Sequence, residues 1–182
     1  MKGVLALFIL LAAAADLRGA SEVLSVLVLP FENQSARPDL NWISESFAEI
    51  LSSRLSAPER YVLGRRERNG AYEHLAIPPG TPLTLASSYK VAETLGVDWV
   101  VMGSFGVEGQ WLTARVQLLD MRRLKLSREL EATGELADLV DLQTRLVWRL
   151  LATNDPGFTV GVEEEFRGRF PSVRLDAFEN YI

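Results

Sequence analysis

The sequence has no cysteine and a single histidine among its 182 residues. The absence of cysteine excludes disulfides, thiolate metal sites and a cysteine nucleophile. A Ser-His-Asp triad would need His74 as its base, but no serine lies in a G-x-S-x-G turn. Glu73 is the only candidate partner next to His74. We therefore predict that the chain is not an enzyme and has no catalytic residue, no metal site and no cofactor.

Phosphate-binding motifs are also missing. The sequence contains neither G-x-G-x-x-G nor G-x-x-x-x-G-K-[ST], the loops that hold dinucleotides and nucleoside triphosphates. Gly103, Gly106 and Gly109 lie between two predicted strands rather than before a helix, so turn and bulge roles are expected. A net charge of −5 argues against contact with a nucleic-acid backbone, and no nucleic-acid partner is predicted.

The first residues have the pattern of a secretory signal peptide. A positive start precedes an uninterrupted run of apolar and small residues over Val4–Ala15, too short to span a bilayer comfortably. Cleavage after Ala15 has small residues at the required positions, whereas cleavage after Ala20 places Arg18 three residues before the cut. We predict a signal peptide over residues 1–20 and a periplasmic or secreted protein. A buried first helix or an uncleaved anchor is the alternative.

Hydrophobic periodicity predicts strands and helices that alternate early and form hairpins late. The predicted strands are Leu24–Leu29, Tyr61–Leu63, Trp99–Phe105, Trp111–Leu119 and Lys125–Ala132, and the predicted helices are Asn41–Leu55, Thr84–Leu95 and Glu135–Ala152. The order β-α-β-α-β-β-β-α predicts the α/β class, a mixed β-sheet of about five strands with packed helices.

Several local features of these elements can be predicted. Asp39 or Asn41 is expected to cap the first helix, and Gly96 to end the second. The second helix is expected to lie with one face inward, formed by Leu85, Tyr89, Ala92 and Leu95. The strand Trp111–Leu119 alternates, which puts Thr113, Arg115 and Gln117 on a wet face. Core or half-core positions are expected for the four tryptophans, Trp42, Trp99, Trp111 and Trp148.

The predicted domain covers residues 21–155, and residues 156–182 are predicted as a linker followed by the start of a further helix. The linker has few apolar residues and carries the acidic run Glu163–Glu165, which is expected to be solvated. The new helix is expected to begin near Leu175.

Two segments resemble the amino-terminal domain of TolB and its relatives. Residues 26–35 read VLVLPFENQS, and the acidic-aromatic start of a helix follows in residues 39–43, DLNWI. Residues 92–103, AETLGVDWVVMG, are similar to that family's helix-to-strand junction. The likeness covers about residues 23–152 and rests on the order and spacing of these pieces.

The resemblance implies an α/β domain of bacterial envelope proteins that is often attached to protein-binding repeats. Residues 176–182, DAFENYI, look like the lead-in to tetratricopeptide repeats. The expected function is therefore that of a non-catalytic, exported protein-interaction or scaffold module. Its partners would be other envelope proteins, with membrane association only through those partners, because the chain has no cysteine for a lipid anchor.

The charged cluster Arg65, Arg66 and Arg68 is the sharpest candidate contact for an acidic partner or a phosphate. The alternative is a solvated turn after a strand, with the arginine stems packed on apolar surface. Glu32 and Asn33, in the loop after the first strand, are further candidate contacts.

A second functional hypothesis is a small-ligand or nucleotide sensor. Open α/β sheets bind ligands in the crevice at the carboxyl ends of their strands. Here that edge would carry Phe31–Ser35 and Gly103–Phe105. The missing phosphate loop counts against nucleotides. The sequence leaves the oligomeric state open.

Overall fold

Seven strands form one mixed sheet in the computed structural model, which describes residues 23–159 and 161–170. The strands are β1 (Leu24–Val28), β2 (Glu32–Asn33), β3 (Arg60–Leu63), β4 (Trp99–Glu108), β5 (Trp111–Asp120), β6 (Lys125–Leu126) and β7 (Leu130–Glu135). The helices are α1 (Trp42–Leu55), α2 (Arg65–His74), α3 (Leu85–Leu95), α4 (Leu139–Asn154) and α5 (Glu163–Gly168). The predicted α/β class with a mixed sheet is confirmed.

The sheet is parallel on one side and antiparallel on the other. Its strand order is β3-β1-β4-β5-β6, with β1 parallel to both β3 and β4. β4 and β5 form a long antiparallel hairpin through Gly109, whose φ of 62° is the left-handed conformation that glycine adopts freely. The turn role expected for Gly109 is therefore confirmed. β7 continues the antiparallel side beside β5, and the short β2 pairs with β4.

The larger core lies on the face covered by α1 and α4. Inward residues of β1, β4 and β5 alternate with outward ones, so each strand contributes every second side chain. Phe31 stacks on Phe47 with ring centroids 4.2 Å apart, and Phe47 stacks in turn on Phe105 at 5.9 Å. These three buried rings join the end of β1 to α1 and β4.

The opposite face is covered over only part of its width. Helices α2 and α3 pack on the side of β3 and β1, where Leu27, Leu29 and Val100 are buried. The predicted inward face of α3 is only partly confirmed. Ala92 is buried and Leu95 packs against the same cluster, whereas Leu85 and Tyr89 are exposed. The helix instead turns a set of mostly smaller residues toward the sheet, Ser88, Val91 and Ala92.

The last predicted strand, Lys125–Ala132, is two strands instead of one. β6 ends at Leu126 and β7 begins at Leu130. Between them the Ser127 hydroxyl accepts a hydrogen bond from the Leu118 N–H at 2.9 Å, in place of a ladder bond from the backbone. β7 then runs to Glu135, so the last long helix starts four residues later than predicted, at Leu139.

Two helix starts differ from the prediction. Helix α2 begins at Arg65, earlier than the short helix that the sequence predicts from residues 70–72, and the Glu67 carboxylate accepts a hydrogen bond from the Gly64 N–H at 3.1 Å. A 3₁₀ turn at Pro38–Leu40 leads directly into α1, and no side chain caps this helix. Asn41, a predicted cap, instead accepts a hydrogen bond from Asn33.

The predicted linker contains a helix in the part that the structure describes. Phe166 of α5 is buried and makes edge-to-face contacts with Phe158 and Phe170. These aromatic rings pack against the larger core, so the chain folds back onto the domain after α4. The predicted signal peptide and the helix expected from Leu175 lie outside the described residues. None of the described helices has the length and apolar character needed to cross a membrane.

Candidate binding surface

A cleft of about 790 Å³ opens at the carboxyl ends of β1 and β3. Its walls come from the first turns of α1 and α2, the loop before α3, and the middle of the β4–β5 hairpin. The two segments predicted to border a crevice meet here, since Phe31 and Glu32 line the cleft together with Gly103 and Ser104. The apolar part of the lining includes Leu29, Ile77, Leu83 and Met102.

Gly103 lies inside β4, where the Phe31 ring packs against the backbone. A Cβ atom on Gly103 would lie 2.1 Å from the Arg115 carbonyl oxygen and 2.5 Å from Phe31 Cε2. Real Cβ atoms do not approach other atoms so closely, so the wall of the cleft needs glycine here. The expected turn or bulge role is wrong for Gly103 and Gly106, which both lie within the paired strand.

Asn33 holds the loop that forms one rim of the cleft. Its amide nitrogen donates to Asn41 Oδ1 at 2.7 Å and to the Arg37 carbonyl at 3.0 Å. Its oxygen accepts from the Ser35 N–H and hydroxyl. The amide is therefore occupied within the chain, and Asn33 orients this loop in addition to lining the cleft. Glu32 lies beside it and is exposed.

The three arginines of the predicted cluster have different environments. Arg68 is only 3% exposed and its Nη2 donates to both Glu45 oxygens, at 2.7 and 3.0 Å. Arg65 lines the cleft and contacts Glu45 at 3.2 Å and Glu49 at 3.2 Å. Arg66 is exposed on the first turn of α2. Arg68 thus links two helices internally, while Arg65 and Arg66 are accessible from outside.

Tyr72 contributes a neutral hydroxyl to the cleft. Burial is the main reason that the pKa of Tyr72 is raised to about 12; Arg68 opposes the rise and Glu45 adds a smaller contribution to it. The phenol therefore stays protonated at neutral pH and can donate a hydrogen bond to a bound group.

The sheet face beyond the cleft is open to solvent. Along β5 its residues are Trp111, Thr113, Arg115 and Gln117, and Arg115 and Gln117 also line the cleft. The predicted wet side of this strand is confirmed by their partial exposure, whereas Leu112, Ala114, Val116 and Leu118 are buried on the other side. Trp111 lies four residues from Arg115 along β5, so this surface extends roughly 14 Å beyond the cleft.

Trp111 is 58% exposed at the far end of this open face. The core or half-core position expected for it is therefore wrong. The alternating pattern of β5 could have predicted this exposure. The odd-numbered residues of the strand face outward, and Trp111 is one of them, whereas Leu112 faces inward. In the strand register it lies between Glu108 of β4 and Glu135 of β7.

The charges on the open face are predominantly negative. Arg115 Nε donates to Glu131 at 2.8 Å and lies 3.7 Å from Glu129. No described cation pairs with Glu108 or Glu135, which are both exposed. Trp111 is thus a large apolar side chain with an acidic residue on each side.

The part of the chain that the structure describes has no group of three potential metal ligands. His74 is exposed at the end of α2. The charged groups Glu45, Arg65 and Arg115 are engaged in ion pairs within the chain.

No protein-family model matches this sequence, and no curated protein does. Solved structures do share its fold. The LpoB C-terminal domain from Salmonella enterica aligns at 15% identity over 65% of this chain and 87% of that chain, with a TM-score of 0.51. The same domain from Escherichia coli aligns at 14% identity over 64% and 86%, with a TM-score of 0.51.

TolB from Acinetobacter baumannii aligns at 11% identity and a TM-score of 0.49, over 74% of this chain and 29% of that chain. This likeness is too low to support an argument. At such identities the LpoB matches establish a similar fold and nothing more.

Proposed function

We propose that this chain is a non-catalytic protein-binding module of the bacterial cell envelope. The main observation in support of this proposal is the open sheet surface along β5, which extends from the cleft to Trp111. A half-open sheet face with an exposed tryptophan is typical of protein interfaces, where Trp, Tyr and Arg supply most of the binding energy.

The envelope location is supported by two features of the sequence. The apolar run Val4–Ala15 has the pattern of a signal peptide, and residues 26–35 and 92–103 resemble the TolB amino-terminal domain. The proposal includes tetratricopeptide repeats after the domain, on the resemblance of residues 176–182. Reading the gene past the codon for Ile182 tests that part, and a stop codon there would refute it.

Site-specific photo-cross-linking tests the binding function. A benzophenone side chain would be placed on the open face at Gln117, and in a control chain at Leu124, which is 66% exposed on a turn. In the cells that produce the protein we expect a discrete adduct from position 117 only, identified by mass spectrometry. The proposal would be wrong if position 117 gave no adduct, or the same adducts as position 124.

A small ligand in the cleft is the second candidate function. The volume of about 790 Å³ and the position at the strand ends favour it. A ligand at 100 times its Kd stabilises the folded state by about 2.7 kcal/mol. A thermal-shift screen of metabolites therefore separates the two functions, since a ligand that acts through Tyr72 and Arg65 would raise the unfolding midpoint without any protein partner.

A further inference from the structure

Arg54 is a buried cation without a counter-ion. It lies near the end of α1 and is 8% exposed. Its side chain makes one long hydrogen bond, 3.5 Å from Nη1 to Ser53 Oγ, and its Nε is buried without a partner. Within residues 23–159 and 161–170 no carboxylate forms an ion pair with it. Arginines this deeply buried are normally paired, because an isolated charge is costly to remove from water.

One aromatic ring covers the guanidinium. Its carbon lies 4.0 Å from the centroid of the Phe170 ring, a cation–π contact. A ring face accepts hydrogen bonds poorly, so this contact leaves the Arg54 Nε–H without an acceptor. Burial lowers the pKa of Arg54, and no carboxylate opposes that effect.

Arg54 lines a second cleft, of about 490 Å³, between α4 and α5. The other cation that lines it, Arg167, is already engaged, with Nε and Nη2 at 2.7 and 2.6 Å from Asp141. Asp141 is also 3.5 Å from Arg145. Asp138 and Glu164 line the same cleft and are exposed. Arg54 is therefore the cation in this cleft that still lacks an anionic partner.

We infer that this second cleft is a binding site for a single carboxylate group, which Arg54 holds. A guanidinium presents parallel N–H groups that match a carboxylate, and such charge-assisted pairs are short and strong. A water molecule would satisfy the orphaned Nε but would not neutralise the charge. The acidic residues Asp138 and Glu164 would repel a phosphate dianion more strongly than a monoanion, which favours the carboxylate.

The carboxylate has two possible sources. Asp176 and Glu179 of this chain follow Phe170 by six and nine residues and lie outside the described residues. Six residues reach up to roughly 20 Å, which is enough to return to the cleft. The other source is a separate molecule or a partner protein. The inference does not depend on the proposed function, because Arg54 is buried under α5 and not on the open sheet face.

The Arg54 Nε–H signal in nitrogen-15 NMR spectra of the full chain tests the inference. Sodium acetate would be titrated against sodium chloride of equal ionic strength, in the native chain and in an Asp176→Asn, Glu179→Gln variant. A saturable shift in the native chain identifies an external carboxylate. A shift confined to the variant shows that the chain itself supplies the group. Acetate that moves the signal in neither protein overturns the inference.

Substitutions assign the response to Arg54. In the protein that responds to acetate, we expect Arg54→Met to weaken acetate binding at least tenfold, measured from the rise in the unfolding midpoint. Arg128→Met makes the same change at an exposed position that lines neither cleft and should leave acetate binding unaltered. If Arg54→Met does not fold, Arg54→Lys keeps the charge without the planar N–H pair and should bind acetate more weakly. Unchanged affinity in the Arg54 variant would contradict the assignment.

Discussion

At the scale of single residues, Gly103 determines how closely β4 and the Phe31 ring approach. We expect Gly103→Ala to lower the free energy of unfolding by at least about 2 kcal/mol, because the atom it meets first belongs to the backbone of β5 and cannot rotate away. Urea denaturation measures this loss.

Gly106→Ala is the matched control for Gly103→Ala. It adds the same methyl group to the same strand, where nothing lies within 4 Å of the new Cβ. Its stability should change by less than about 1 kcal/mol. Equal losses in the two variants would show that the close approach at Gly103 is not what requires glycine.

Glu45 compensates the buried charge of Arg68. We expect Glu45→Gln to cost about 2–4 kcal/mol of stability, somewhat less than for a fully buried pair because the Glu45 side chain is 33% exposed. Adding Arg68→Met should restore part of the loss. Glu49→Gln, which removes only a contact to the exposed Arg65, should cost under about 1 kcal/mol. Chemical denaturation of the set checks this, and similar losses for Glu45→Gln and Glu49→Gln would refute the assignment.

Asp98 makes stability depend on pH. Burial opposes ionisation, but hydrogen bonds from Arg122 at 2.6 Å and from the Ser25 N–H and hydroxyl outweigh it and lower the pKa of Asp98. A lowered folded-state pKa stabilises the fold above the ordinary carboxyl pKa of 3.8. That contribution is lost as the pH falls below 3.8 toward the folded value. In Asp98→Asn the unfolding midpoint should therefore fall less steeply with acid, and an unchanged slope would contradict the assignment.

At the scale of elements, capping separates α3 from α1. Thr84 Oγ1 accepts a hydrogen bond from the Ser87 N–H at 3.1 Å at the start of α3, and Gly96 ends this helix with a φ of 64°, as predicted. We expect Thr84→Ala to cost about 1 kcal/mol, measured by thermal unfolding. Thr84→Ser keeps the acceptor and should cost less, so equal costs would argue against the cap.

The sequence predicted elements well where periodicity is local. α1, the β4–β5 hairpin and α3 have the expected positions because each follows from its own pattern of apolar residues. The break between β6 and β7 could not be predicted, because it depends on the Ser127 hydroxyl, which accepts a hydrogen bond from the Leu118 N–H of the neighbouring strand. The exposure of Leu85 on α3 also could not be predicted, because it depends on tertiary packing. The smaller residues of the helix pack against the sheet, and Leu85 faces solvent.

At the scale of the whole molecule, the location of the cleft could be predicted, but the roles of the side chains around it could not. Phe31 and Glu32 follow the carboxyl end of β1 and line the cleft, as predicted. Gly103 and Ser104 also line it, but they lie inside β4, which continues to Glu108. The burial of Arg68 and the use of Asn33 within its own loop depend on tertiary contacts. The sequence shows where the arginines are but not which of them form ion pairs in the folded chain. Arg68 is paired with Glu45, whereas no described carboxylate pairs with Arg54.

The central claim is that the open face around Trp111 binds a protein. Trp111→Ala should leave stability within about 0.5 kcal/mol, because the side chain is exposed. Truncation of a tryptophan that contributes strongly to an interface costs about 2 kcal/mol or more, roughly thirtyfold in affinity.

The most direct measurement is therefore the yield of the Gln117 photo-adduct in chains that also carry Trp111→Ala or Leu124→Ala. If the open face binds a protein, we expect the Trp111 substitution to abolish most of the adduct. The Leu124 substitution, on an exposed turn, should leave the adduct yield unchanged. Equal adduct yields from the two chains would contradict it.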